Sequence, residues 1–186
     1  MLADSGIGAI LAEAGYVAVG SYSMRTMTWR DLDFDRPEEA PDWERHWEVG
    51  TRLARTGWCI RLNCTDCYRQ QTVGFEPGLY WGVRAVHPAR KEPVPPDDPT
   101  IWKLDLWTIE PAYFERNALQ RNTWMSRITQ EARSQVLAIK EAVCDEPEYR
   151  HTMLSVHIYE AVLEHGVRDA AAFREWWESR YGGDEG

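Results

Sequence analysis

No stretch of the 186 residues is apolar over the roughly 20 consecutive positions that a membrane-spanning helix needs. The chain does not open on a basic segment followed by an apolar core and a small-residue cleavage site. These absences predict a cytoplasmic protein with no membrane partner. Cysteine is scarce: Cys59, Cys64, Cys67 and Cys144 are too few for a disulfide scaffold, so thiols are expected. Positive charge is outnumbered, with 21 Lys and Arg against 30 Asp and Glu and a formal net charge of -9. That balance repels a long nucleic acid on average and suits a small or cationic partner better. Internal repeats and low-complexity tracts are missing too. A chain that is 44% hydrophobic and 27% charged is neither disordered nor fibrous, and its length allows one domain with a sizeable core. What the chain has in excess is tryptophan, ten in all, which either fills a core or lines a pocket for flat ligands.

Residues 5–14 read as a short helix stopped by Gly15, and Tyr16–Val19 as a buried strand that ends in a Gly20-Ser21 turn. Trp29–Asp35 alternates, with Leu32 and Phe34 on one face and Asp31, Asp33 and Asp35 on the other. Asp42 is placed to cap a helix carrying Trp43, Trp47 and Leu53 at helical spacing, up to Gly57. Strand-favouring residues then follow in Trp58–Leu62, Tyr68–Phe75 and Leu79–Val86, with turn signals at Thr65-Asp66 and Pro77-Gly78, which predicts an antiparallel meander. Five prolines between His87 and Pro99 predict an irregular loop, the best candidate for a lid. Ile101–Ile109 alternates again, Trp102, Leu104 and Leu106 against Lys103, Asp105 and Trp107.

After Pro111 the period changes. Apolar residues from Phe114 to Val143 recur as in one long amphipathic helix, a second helix is expected over Tyr149–His165, and Asp169 can cap a third bearing Phe173, Trp176 and Trp177. The fold class expected is α+β, with an α/β core over 1–110 and a helical C-terminal portion over 111–186 packed as one unit with it.

The chemistry sits in an ordered set: Val19-Gly20-Ser21, nine further residues, Asp31-Leu32-Asp33-Phe34, and much later Lys103-Leu104-Asp105-Leu106. Two positions apart on a strand, Asp31 and Asp33 point the same way with Cα atoms about 6–7 Å apart. With Asp105 from a neighbouring strand they make a hard oxygen set suited to magnesium, able to assist in-line displacement at phosphorus. Gly20 lets a backbone approach a triphosphate, and Ser21 offers a hydroxyl and an N–H to its oxygens. Arg25 and Lys103 are candidates to balance charge on a departing pyrophosphate. An alternating acidic strand taken alone is a solvated face; it is the order of turn, paired carboxylates and later acid that points to chemistry.

This set, over roughly residues 5–110, resembles the nucleotidyltransferases of the polymerase-beta-like superfamily, and in size the small antibiotic-modifying and minimal toxin–antitoxin types. The resemblance implies a mixed twisted sheet with flanking helices and transfer of a nucleoside monophosphate from Mg2+-bound NTP to a hydroxyl of a small acceptor, with an antibiotic as one candidate. It also implies Asp31, Asp33 and Asp105 as catalytic metal ligands, and Gly20, Ser21, Arg25 and Lys103 around the nucleotide. Two positions depart from the common pattern: Arg30 stands where Ser often precedes the first Asp, and Tyr22 where a basic residue is frequent. The alternatives are a toxin–antitoxin enzyme acting on protein or RNA, and a non-catalytic nucleotide-sensing or partner-binding module.

Other features carry less. Cys64 and Cys67 have the spacing of half a zinc site, with Cys59, His46 or His87 as further ligands, but a second pair is missing and a hairpin flank is the simpler reading. His151 and His157 have no neighbouring nucleophile and receive no role. Trp81 and Trp107 are the tryptophans that could stack on a base or an acceptor ring.

Overall fold

The computed structural model describes residues 1–70, 77–149 and 151–182. In chain order the elements are α1 (Ile7–Glu13), β1 (Val17–Val19), α2 (Gly20–Met24), β2 (Asp31–Pro37), α3 (Trp43–Ala54), β3 (Cys59–Asp66), β4 (Gly78–Ala85), β5 (Trp102–Ile109), α4 (Pro111–Arg127), α5 (Gln130–Val143), α6 (Ser155–His165) and α7 (Ala170–Tyr181). The protein is mixed α+β. Its chain forms two compact units, one of Met1–Met24 and Trp29–Leu119, the other of Arg25–Thr28 and Gln120–Gly186.

The first unit is built on a five-stranded sheet of order β1-β2-β5-β4-β3. β2 and β5 pair in parallel and every other neighbouring pair is antiparallel, so the sheet is mixed. Period-2 alternation divides it into two faces. Leu32, Phe34, Leu104, Leu106, Trp81 and Val83 share one face and are buried. α3 packs there: the Trp81 indole donates to the His46 carbonyl over 3.1 Å and stacks on the His46 ring at 5.0 Å. α3 starts where sequence predicts, because the Asp42 carboxylate accepts the Arg45 N–H at 3.0 Å. Tyr16, just after α1, pins that end of the chain to the same face through its hydroxyl, 2.9 Å from that of Thr108.

Local readings are corrected at three places. Thr65 and Asp66 lie in β3 rather than in a turn, and the turn follows at 67–70, where the Asp66 carboxylate accepts the N–H groups of Tyr68 and Arg69. The strand expected over Tyr68–Phe75 is therefore absent from its first three residues, and its remainder lies outside the described residues. Gly20-Ser21 opens the short helix α2 instead of forming a bare turn. Residues 88–99 are irregular, as their prolines require, with Arg90 paired to Asp98 at 2.8 Å.

The long helix expected after Pro111 is two, α4, whose residues up to Leu119 belong to the first unit, and α5 in the second, because the Thr129 hydroxyl turns back to accept the Ala132 N–H at 3.1 Å and caps a new start. α6 begins at Ser155, later than its apolar spacing suggests, and α7 is capped by Asp169 as expected. α5, α6 and α7 bury Val136, Ile139, Ile158, Ala161 and Phe173. Lys140 is buried among them. Its ammonium donates to the Thr26 carbonyl at 3.2 Å and to the Tyr159 hydroxyl at 2.9 Å, and lies 4.9 Å from the Tyr159 ring centroid, which replaces the water it has lost. Among the described residues, no helix is long and apolar enough to cross a membrane.

Candidate metal centre

Parallel pairing of β2 with β5 sets Asp33 opposite Asp105 and Asp31 opposite Lys103. All four point away from the apolar face, because each lies an even number of residues from its neighbour in the set. One carboxylate oxygen from each of Asp31, Asp33 and Asp105 falls within 4.8 Å of the others, and among the described residues this is the one His, Cys, Asp or Glu group close enough to hold a metal ion. The three aspartates singled out by spacing are thus brought together.

Lys103 reaches into the cluster, its Nζ 2.6 Å from Asp105 Oδ2 and 3.4 Å from Asp31 Oδ1. Burial works against its ammonium, yet Asp105 and Asp31 together hold its pKa above the ordinary lysine value. Asp105 Oδ1 accepts a hydrogen bond from the Tyr80 hydroxyl at 2.7 Å. Asp31 Oδ1 is buried and accepts no hydrogen bond. Asp33 carries the electrostatic strain: burial first, then the negative Asp31 and Asp105, push its carboxyl up to about 7, with Lys103 pulling the other way. A single ammonium does not neutralise three carboxylates in this setting.

Gly20 follows Val19, which is paired with Asp33 in the sheet. It has φ +59, and a Cβ at this position would collide with Asp33 Oδ2. Only glycine allows the Asp33 carboxylate to occupy its place. Sequence reasoning gave Gly20 to a phosphate; its direct structural task is to make room for a carboxylate. Ser21 is the next residue of α2. Arg25, exposed at φ +56, belongs to the second unit. The donor set fits a hard divalent cation on three counts: three carboxylates converge, one buried oxygen is without a hydrogen bond, and the chain has given up a side chain at Gly20 to seat Asp33.

Tyr80 and Gly82 were missed by sequence reasoning. Both lie on the cluster's face, with Gly82 opposite Asp105 and Arg84 opposite Lys103. The signal available was the tyrosine–glycine alternation within an apolar strand, but only the register with β5 gives it meaning. Trp81, expected as a stacking platform, is buried under α3 and is corrected to a core residue. Trp107 lies on the cluster's face, its ring 4.7 Å from that of Tyr80.

The cysteines are free thiols. Cys64 Sγ is 3.5 Å from His46 Nε2, and Cys67 is buried with its N–H on the Gly78 carbonyl, but these residues do not converge with a third ligand among the described residues. His157 accepts from the Leu154 N–H and the Trp177 indole, a structural use. No protein-family model matches the chain, and no curated protein matches it.

Proposed function

We propose that this protein is a metal-dependent nucleotidyltransferase with a fold of the polymerase-beta-like kind, moving a nucleoside monophosphate from NTP to a hydroxyl of a small acceptor. One observation carries the reading: the Asp31, Asp33 and Asp105 carboxylates meet on one sheet face beside a glycine that makes room for Asp33. Mg2+ held by these three would supply Lewis-acid stabilisation of the phosphoryl oxygens.

The chain's own groups have distinct tasks in that reaction. Asp31 and Asp33 would hold the cation, and Asp33 would first have to release a proton, since burial pushes its carboxyl up to about 7. Asp105, fixed through Oδ1 by Tyr80, presents its other oxygen to the cation and the acceptor hydroxyl. The acceptor oxygen bonds to the α-phosphorus, the bond to pyrophosphate breaks, and the hydroxyl proton passes to a base. Lys103, already within 2.6 Å of Asp105, is placed to offset negative charge gathering on the pyrophosphate. Ser21 offers its hydroxyl and N–H to the nucleotide. A net charge of -9 favours a cationic acceptor, such as an aminoglycoside-like antibiotic.

A second reading has its own support. Both oxygens of Asp105 are engaged, one by Tyr80 and one by Lys103, as suits a non-catalytic nucleotide-sensing module whose acidic cluster is closed by an internal cation. Incubation with labelled NTPs, Mg2+ and candidate acceptors separates the two. Label transferred to a small molecule supports the transferase, label on protein or RNA moves the acceptor to the toxin–antitoxin class, and saturable binding without pyrophosphate release supports the module. Asp33→Asn is expected to remove turnover while leaving the fold intact; wild-type turnover by the folded variant refutes the mechanism.

A further inference from the structure

Tyr80 and Gly82 stand two residues apart on β4, on the same face as Asp105, and Gly82 pairs directly with Asp105 across the sheet. The Tyr80 ring leans back over Gly82, so that its hydroxyl lies 2.7 Å from where a Cβ at position 82 would stand. From there the hydroxyl donates to Asp105 Oδ1 at 2.7 Å, while Lys103 marks Oδ2 as the oxygen that a cation reaches, at 2.6 Å.

We infer that Tyr80, seated by Gly82, is a positioning and specificity-determining residue that makes Asp105 a one-oxygen ligand and thereby selects small octahedral cations over calcium. The inference rests on the reading of the cluster as a divalent-cation centre. Calcium takes six to eight oxygens and commonly bites a carboxylate through both, whereas Mg2+ and Mn2+ accept single oxygens in near-octahedral array. With one lone pair of Oδ1 given to Tyr80, the two-oxygen bite is disfavoured at Asp105. The competing explanation is structural: an aromatic ring simply covers a glycine in a strand. Tyr80→Phe separates the two, since it keeps the ring over Gly82 and deletes only the donor.

The test titrates the full chain with Mn2+ alone and with Ca2+ alone, by calorimetry and by the electron paramagnetic resonance signal of free Mn2+, with no nucleotide present. Tyr80→Phe is expected to melt close to wild type while its preference for Mn2+ over Ca2+ falls at least about tenfold, the scale of losing a partner that orients a metal ligand. Gly82→Ala should shift the preference in the same direction. Adding it to Tyr80→Phe should change nothing more, because both remove one hydrogen bond; should Gly82→Ala fail to fold, Tyr80→Phe decides alone. Wild-type Mn2+ and Ca2+ affinities in Tyr80→Phe, alongside loss of Mn2+ binding in Asp105→Asn, overturn the role of Tyr80 and leave the metal centre standing. A wild-type protein that binds no Mn2+, or binds it equally well as Asp105→Asn, overturns the metal centre and this inference with it.

Discussion

In the metal-free protein at pH 8, replacing Asp33 with Asn should raise stability, although the same change is expected to end turnover. The folded chain holds the Asp33 carboxyl at about 7, against an ordinary value of 3.8. An acid with a raised folded pKa binds more protons in the folded state than in the unfolded one between those two values. Stability is therefore full below about pH 4 and declines as pH rises through about 7. Carrying the ionised group through that whole span withdraws about 4 kcal/mol from folding, and Asn, of the same shape and uncharged, avoids it. For a chain of this size that corresponds to about 10 °C in melting temperature. The assay is thermal melting in EDTA from pH 4 to pH 8.5, wild type against Asp33→Asn. The two curves should meet at the acid end, diverge steadily from about pH 4 and run parallel above about pH 7, with the variant on top. Saturating Mg2+ should reverse the order at pH 8, because only the wild type gains from the ion. A wild-type profile that is flat between pH 4 and 7, or a variant less stable than wild type at pH 8 in EDTA, refutes the electrostatic account of the cluster.

Gly20→Ala should lose about 1–2 kcal/mol from its left-handed backbone angle alone and, by displacing the Asp33 carboxylate, weaken Mg2+ binding at least about tenfold; an unchanged Mg2+ response in thermal melting would contradict the fit described for that residue. Lys103→Met removes the cation that pulls against the rise in Asp33, so the midpoint of the metal-free pH profile should move above about 7. Its stability loss at pH 8 is expected to be about 1–2 kcal/mol, reduced from that of a fully buried pair because Lys103 is 37% exposed, and Mg2+ should restore more than it does in the wild type. A midpoint unmoved in Lys103→Met would show that the ammonium does not act on Asp33.

The two strands that carry the cluster are legible in sequence because both alternate strictly: Leu32 and Phe34 against the aspartates, Leu104 and Leu106 against Lys103 and Asp105. Their burial follows that alternation over Asp31–Phe34 and over 103–108, and breaks from it at Asp35, which is buried. Register is not legible in the same way. Nothing local in either strand tells that Asp33 lies beside Asp105, since this is a parallel pairing across some seventy intervening residues whose geometry is set by the whole sheet. Tyr80 was missed for that reason. Trp81 differs: it shares its parity with Leu79 and Val83, and that apolar row, more than its flat ring, marks it as core. The break between α4 and α5 escaped because apolar spacing carries straight through Thr129, and a capping hydroxyl outweighs periodicity at a single residue.

The buried Lys140 has a consequence for how this chain could be cut. Its acceptor, the Thr26 carbonyl, lies in the short stretch between Gly20 and Asp31, so the residues linking the first two strands are anchored in the helical unit. The backbone crosses from one unit to the other three times, at Met24, at Thr28 and at Leu119. A fragment ending at residue 119 would carry Thr26 away from both Lys140 and Tyr159, and its complement would keep a desolvated ammonium that had lost a carbonyl acceptor. A cut there takes from the second unit its own segment of residues 25–28, and with it the carbonyl and hydroxyl of Thr26 that Lys140 and Tyr159 engage.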